Sequence, residues 1–460
     1  TISENKKTYT FRLRDTFWNN GDPVTAHDFL YSWSQQLSPQ FKTSFLYIFH
    51  PIKNAQKIHK GILSPKHLGV SAKDDKTLVV QLESPCPYFL DYLTLNAYFP
   101  VHAKIDQKYP DWPLANQMEF PCNGPFMVAR NIPHVHLQLK KNLNYWDRSR
   151  VRLDQIDLHL SNKRTALQSF KKGTNDWIGY PFSLLDELLD DTIEKKSATS
   201  FWNHQNLAVN TENKFLHSAK IRRALSLALN RTGLFGEHQP NVHPTTSPLP
   251  KAYSQMAKVH LEGNPSLAKE LFREGLDELG IKAKDFPELT ILQAFEFKLQ
   301  RGHFLPRIQQ QLNDVLGIKT RLKSIPTKYY FKKKMLENDA HLILLSWSNY
   351  VDTPFYFFDS FIFNPPCGSS WLTQPFQEAL ARAKIEEDSN LQWQKLKEVE
   401  ELFCDLMPII PICYRETKIL YNERLKGLPT NLNLGLWDLK EAYFKSERQD
   451  PKSMIEWIAE

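Results

Sequence analysis

Between Asn264 and Leu322 the chain changes its apolar period several times, and few folds accept that order. Asn264 caps a helix and Pro265 takes its first position; Leu267, Leu271, Phe272 and Leu279 recur at helical spacing, and Gly280 stops it. Residues 289–292 read as a buried strand. Ile308, Leu312, Val315 and Leu316 then mark a second amphipathic helix ended by Gly317, after which Ile318, Thr320 and Leu322 alternate as a strand. Strand, helix and strand in this order predict a β-α-β unit with a parallel pair. Further on come an apolar strand over 342–345, a helix carrying Leu396, Val399, Phe403 and Leu406, and a strand over 409–414. Near the start, residues 9–14 alternate as a strand and 19–23 make a turn. Thr25 with Asp28 three residues later forms a cap ahead of Phe29, Leu30 and Trp33. The fold class is α/β.

The chain has 460 residues, 41% of them hydrophobic, which is too long for a single core and predicts two or more lobes. There is no repeat at solenoid period and no low-complexity linker, so strands are expected to join the lobes. The net charge of +7, from 58 basic and 51 acidic residues, is spread along the chain and not gathered into a nucleic-acid-binding arm. No apolar run approaches the roughly 18 residues that span a bilayer. The opening residues, Thr1 to Lys7, lack the apolar stretch of a secretory signal. The cysteines, Cys86, Cys122, Cys367, Cys404 and Cys413, form no C-x-x-C pair; an odd count leaves one thiol free. Cys404 and Cys413 can meet if a helix folds back on the next strand, but burial as small apolar groups is the simpler expectation.

No nucleotide-binding, nucleophile-elbow or zinc-protease motif occurs, so an enzyme is not expected, and neither is a cofactor or a metal. His134 and His136 share one face of an expected strand, without a third ligand nearby. Asp186, Glu187, Asp190 and Asp191 have the spacing of a solvated helix face. Tyr329, Tyr330 and Phe331 ahead of Lys332, Lys333 and Lys334 mix rings with charge as some single-strand binders do, but a solvated helix segment with its rings turned to the core is the better account.

One set of segments is specific. The run Tyr9-Thr10-Phe11-Arg12-Leu13-Arg14-Asp15, then Trp18, Gly21, Pro23 to Phe29 and Tyr31-Ser32-Trp33, resembles the signature of the family 5 extracellular solute-binding proteins. Asn123-Gly124-Pro125-Phe126, Asn142 with Tyr145-Trp146, Gly173 with Asp176, Arg222 to Leu225 with Ala228, and Pro408 to Pro411 follow in the family's order. The resemblance covers about residues 8–444, and its nearest branch is the oligopeptide-binding proteins. It implies a large two-lobed periplasmic-binding fold of type II with an extra peptide-binding-type domain. On that pattern residues 1–118 form the extra domain, 119–204 with 415–444 the first lobe and 205–414 the second. The crossings near His204 and Arg415 would be the hinge. Residues 445–460 are left as a tail, either foreign to the fold or an appended helix. Family members also carry several dozen residues ahead of the strand at Tyr9, which would belong to the first lobe.

The resemblance further implies a ligand site between the lobes, centred on Trp347-Ser348-Asn349-Tyr350 with Asp352, and on Tyr414 and Arg415 near the hinge. In the peptide-binding branch an Asp three residues after the Trp takes the ligand's ammonium group. Here Tyr350 or, with a one-residue shift, Asn349 stands there, and neither is acidic. A neutral acceptor supplies less than a buried carboxylate, which Asp352 can replace only by moving in. Read as packing alone, Trp347 is a core residue and Arg415 a surface cation. The family's occasional disulfide beside this segment finds Ser348 here and Asn203 opposite. The expected function is binding of a peptide or peptide-like solute for an ABC transporter permease, by a monomer with no nucleic-acid partner. The expected location is the periplasm or cell surface, with lipid anchoring through a preceding segment as one option. The competing expectation is a solute-sensing domain of a regulator or receptor.

Overall fold

A computed structural model describes residues 1–41, 46–110, 112, 120–178, 197–235, 241–249, 253–254, 259–294, 304–326, 340–348, 351, 353–363, 365, 368–428, 439–445 and 452–458. The strands, in chain order, are β1 Thr8–Arg12, β2 Val70–Asp74, β3 Thr77–Gln81, β4 Phe126–Ile132, β5 His136–Lys141, β6 Gln155–Ser161, β7 Trp177–Ile178 and β8 Ser197–Val209. They continue with β9 Val242–Pro244, β10 Leu289–Ala294, β11 Thr320–Ile325, β12 Leu342–Ser348, β13 Ile409–Tyr421, β14 Leu425–Lys426, β15 Tyr443–Phe444 and β16 Lys452–Ile458. The longer helices are α1 Ala26–Gln36, α2 Lys163–Lys171, α3 Ala219–Leu227, α4 Pro265–Leu279, α5 Leu305–Leu316, α6 Pro354–Phe363, α7 Gln374–Ile385 and α8 Ser389–Leu406. The chain divides into two compact units, one of Thr1–Phe201 with Thr417–Glu460 and one of Trp202–Glu416. Both divisions fall inside strands, β8 and β13, rather than in loops.

In the discontinuous unit β1, β3 and β2 make an antiparallel sheet. The cap expected at Thr25 is present: the Asp28 carboxylate accepts from the Thr25 N–H at 2.9 Å. It starts α1, whose Trp33 is 2% exposed and donates its indole N–H to the Tyr98 carbonyl at 2.9 Å. A second run of strands is ordered β7-β16-β6-β5-β4. The segment expected as a tail or appended helix is therefore a strand: β16 pairs in parallel with β6 along its length and with β7. His134 and His136 do not share a strand face. His134 sits in the turn before β5 with φ 59, while His136, inside β5, gives its Nε2 to Asp157 at 3.0 Å.

In the continuous unit the order is β11-β10-β12-β8-β13, with β9 paired to β13. β10 and β11 are parallel with α5 between them, the β-α-β unit expected from the sequence. Asn264 caps α4 through the Leu267 N–H, and Gly280 and Gly317 end their helices at φ 66 and 67, which a side chain would strain. One sheet face meets α3, α4 and α5: Leu207 and Val209 of β8, Leu289 and Ile291 of β10, and Leu342 and Leu344 of β12 pack on Ile221, Leu225, Phe272 and Ile308. Helix α3 lies close on α4, where a Cβ added at Gly275 would fall 2.7 Å from the Ile221 side chain. By strand alternation Trp347 points to the opposite face. There it meets α6, whose residues Pro354 through Phe361 are all buried, Asp359 among them and paired with Lys384. Among the described residues, Cys86, Cys122, Cys404 and Cys413 form no disulfide with one another; Cys367 lies outside the described residues.

Candidate functional site

The site expected from the sequence falls on three adjacent strands of the continuous unit, β12, β8 and β13 in that order. Strand β12 opens with the apolar run Leu342 to Leu345 and ends on Ser346-Trp347-Ser348, so its apolar half anchors the polar half. It pairs antiparallel with β8, setting Trp347 against His204 and Ser348 against Asn203. The Asn203 amide donates to the Ser348 hydroxyl at 2.9 Å. On the other side β13 carries Tyr414 and Arg415, held opposite His243 and Val242 of β9. Trp347-Ser348 and Tyr414-Arg415, far apart in sequence, thus flank one strand. Asn349, Tyr350 and Asp352 lie outside the described residues.

Trp347 is partly exposed and its ring packs on Tyr356, Phe357 and Phe361 of α6 at 6.3, 6.2 and 5.6 Å. It therefore carries a share of the core as well as standing at the site. Tyr414 is 2% exposed; its hydroxyl donates to the Leu249 carbonyl, and burial raises its pKa. The loop that receives it is itself pinned. Thr245 N–H donates to the Ile412 carbonyl at 3.1 Å, and Glu400 of α8 accepts from the Ser247 and Ser254 hydroxyls at 2.5 and 2.7 Å. Arg222, in the run matching the family, serves the fold: it donates to the carbonyls of Leu406, Leu216 and His217 at 2.8, 2.9 and 2.6 Å. That satisfies the end of α8, where Met407 turns into the left-handed region at φ 44.

The resemblance placed a crossing near His204 and set Asn203 opposite Ser348, as the pairing shows, but sequence reasoning did not single out His204, Gln205 and Asn206 as site residues. Asn203, His204, Gln205 and Asn206 form a polar run in β8 between the 201–202 pair and the apolar Leu207-Ala208-Val209, and His204, Gln205 and Asn206 are at most 1% exposed. Such a run inside a strand bounded by apolar residues was the available signal. His204 lies edgewise on Tyr414 with ring centroids 4.1 Å apart. Burial lowers its pKa to about 3, so the ring is neutral at physiological pH. The Cys413 thiol donates weakly to Gln205 Oε1 at 3.6 Å, and burial pushes its pKa up to about 12. A thiol held protonated in this way is the opposite of an activated nucleophile. Among the described residues no three His, Cys, Asp or Glu side chains gather as a metal site, and no helix is long and apolar enough to cross a membrane. What the β8 run does chemically is donate and accept hydrogen bonds without charge, beside the Arg415 guanidinium on β13.

A hydrogen-bonding seam on an α/β sheet, with rings beside it, offers the uncharged groups that a binding protein uses. The profile of the bacterial extracellular solute-binding proteins, family 5 Middle, matches residues 1–366, and the chain belongs to this family. It is 30% identical to the oligopeptide-binding protein OppA of Bacillus subtilis (strain 168) over 463 residues, covering 96% of this chain and 83% of that protein. With the dipeptide-binding protein DppE of the same organism it shares 28% identity over 455 residues, covering 96% and 82%. Among solved structures, a periplasmic oligopeptide-binding protein of an ABC transporter (OppAIV) from Borrelia burgdorferi superposes with a TM-score of 0.79 at 26% identity, over 96% of this chain and 89% of that one. The α/β two-lobed fold expected from the sequence is the fold of these relatives.

Proposed function

We propose that this protein binds a peptide or peptide-like solute and delivers it to the permease of an ABC importer. The observation that carries the reading is the likeness, over nearly the whole chain, to relatives named for oligopeptide and dipeptide binding. The site is in keeping with it: the side chains of Asn203, His204, Gln205 and Asn206 on β8 bring hydrogen-bond donors and acceptors beside Trp347 of β12. Neutral His204 and protonated Cys413 favour binding without chemistry. The protein acts outside the cytoplasmic membrane, in the periplasm or at the cell surface with a lipid anchor, as a monomer and without enzymatic activity. The ammonium end of the ligand is not met by a carboxylate at the Asn349 or Tyr350 position, so blocked and free peptide N-termini are treated more alike than in relatives that use an Asp there. The test is mass spectrometry of the material released on denaturing protein purified without refolding. Peptides of a few residues are the expected result. A uniform non-peptide ligand would overturn the reading.

A further inference from the structure

Five side-chain atoms on three neighbouring residues of the site are left unsatisfied by the fold. Both ring nitrogens of His204, both amide atoms of Asn206 and the Trp347 indole nitrogen are buried without a hydrogen-bond partner among the described residues. Register and alternation put them together: His204 stands opposite Trp347, and Asn206 is two residues along β8 on the same face, turned away from Leu207 and Val209. Native interiors leave only a few such atoms per hundred residues, and leaving one unmade weakens the fold more than a well-shaped apolar replacement does. A concentration of them marks a place where stability has been given up for recognition.

The chemistry on offer is specific. A neutral imidazole brings one donor and one acceptor, Asn206 brings donors and an acceptor, and the indole brings a donor. Both senses of hydrogen bond are present without charge, which is the complement of an amide. Resting on the solute-binding reading above, we propose that His204 and Asn206, with Trp347 beside them, set specificity by receiving an uncharged amide or carbonyl group of the solute. These atoms are covered in the present arrangement, so the group that completes them displaces what covers them.

The test uses the whole protein and three variants, His204→Phe, Asn206→Leu and Asn206→Ala. The probe is a peptic digest of casein, offered native and after acetylation and amidation of its termini. Retained peptides are counted by mass spectrometry, and the best-retained one is titrated by calorimetry. The parent protein should retain blocked and free peptides alike. His204→Phe and Asn206→Leu should melt several degrees higher than the parent while binding at least about tenfold more weakly, the loss of roughly one hydrogen-bonded group. Higher melting with unchanged retention would overturn the proposal alone, because the groups would then be buried to no purpose. Lower melting would overturn it too, by showing that the folded protein satisfies them. A parent that retains no peptide would sink the peptide reading and the proposal together. Should either substitution prevent folding, Asn206→Ala carries the same binding comparison.

Discussion

Arg231 is a buried cation whose hydrogen-bond partners among the described residues include no carboxylate, and replacing it by methionine tests whether such a group holds this fold together. It is 1% exposed and donates to the Pro411 carbonyl at 2.7 Å, the Ser226 carbonyl at 3.1 Å, the Leu229 carbonyl at 3.3 Å and the Ser226 hydroxyl at 2.8 Å. It thereby ties the end of α3 to β13. Burial lowers its pKa to about 10, still well above neutrality, so it is charged. Two effects compete. Methionine relieves the desolvation of a charge, and exchange of buried ionic groups for apolar ones is often neutral or stabilising by about 1–4 kcal/mol when all partners are exchanged. Here the partners are mostly backbone carbonyls, which no substitution removes. Four acceptors would lose their donor at about 1 kcal/mol or more each, a total near 4 kcal/mol. The lost partners set the upper bound on the net effect, so Arg231→Met should lower the melting temperature of the continuous unit by up to roughly 8–16 °C. Arg231→Lys keeps the charge but not the planar fork, and should fall between the two. Scanning calorimetry with circular dichroism is the assay. A shift under about 3 °C for Arg231→Met would refute the reasoning and assign the fold's cohesion to packing alone.

Peptide N-acetylation should cost little affinity here, whereas a relative relying on an ammonium-binding Asp should lose about thirtyfold or more, corresponding to about 2 kcal/mol. Calorimetry with a matched peptide pair decides, and if the full loss appears, Asp352→Asn shows whether Asp352 has taken over the role. Acid should weaken the fold before its carboxylates titrate: His204 falls from 6.5 unfolded to about 3 folded and His50 to about 4, both chiefly by burial. The unfolded chain binds more protons in that window, so stability is full above about pH 6.5 and declines as pH falls, by at most about 1.4 kcal/mol per pH unit per histidine. Urea titrations at pH 7 and 5 should show less of this decline in His204→Phe; an equal decline would be contrary to it. The cross-strand pair Asn203 and Ser348, hydrogen-bonded at 2.9 Å, should form a disulfide in the double variant Asn203→Cys, Ser348→Cys under mild oxidation. Two further alkylatable thiols after oxidation, instead of none, would contradict that register.

The α/β class, the β-α-β unit and the caps at Thr25 and Asn264 were legible because each rests on residues close in sequence: an apolar period, a side chain reaching two or three positions, a glycine at positive φ. The Trp347 and Tyr414 segments were legible only through resemblance, since nothing local says that β12 and β13 flank β8. His204, Gln205 and Asn206 went unread as site residues because a polar run looks like a loop until the strands on both sides bury it. His134 was misplaced for a similar reason: the alternation Pro133 to Leu137 suits a strand, but the turn needs a residue at positive φ and takes His134. β16 was illegible as a strand because its apolar residues, Met454, Ile455, Trp457 and Ile458, follow helical as well as strand spacing, and only the parallel pairing with β6 decides between them.

Strand β16 also imposes an order in time. It lies between β6 and β7, yet a ribosome delivers it only after the whole of Trp202–Glu416 has emerged. β6 and β7 must wait apart through that interval, while the continuous unit already has every strand it needs. Contacts so distant along the chain close slowly, since loop entropy is lost before pairing returns anything. Synthesis therefore favours one half of the molecule maturing first and the other remaining open until its last strand arrives.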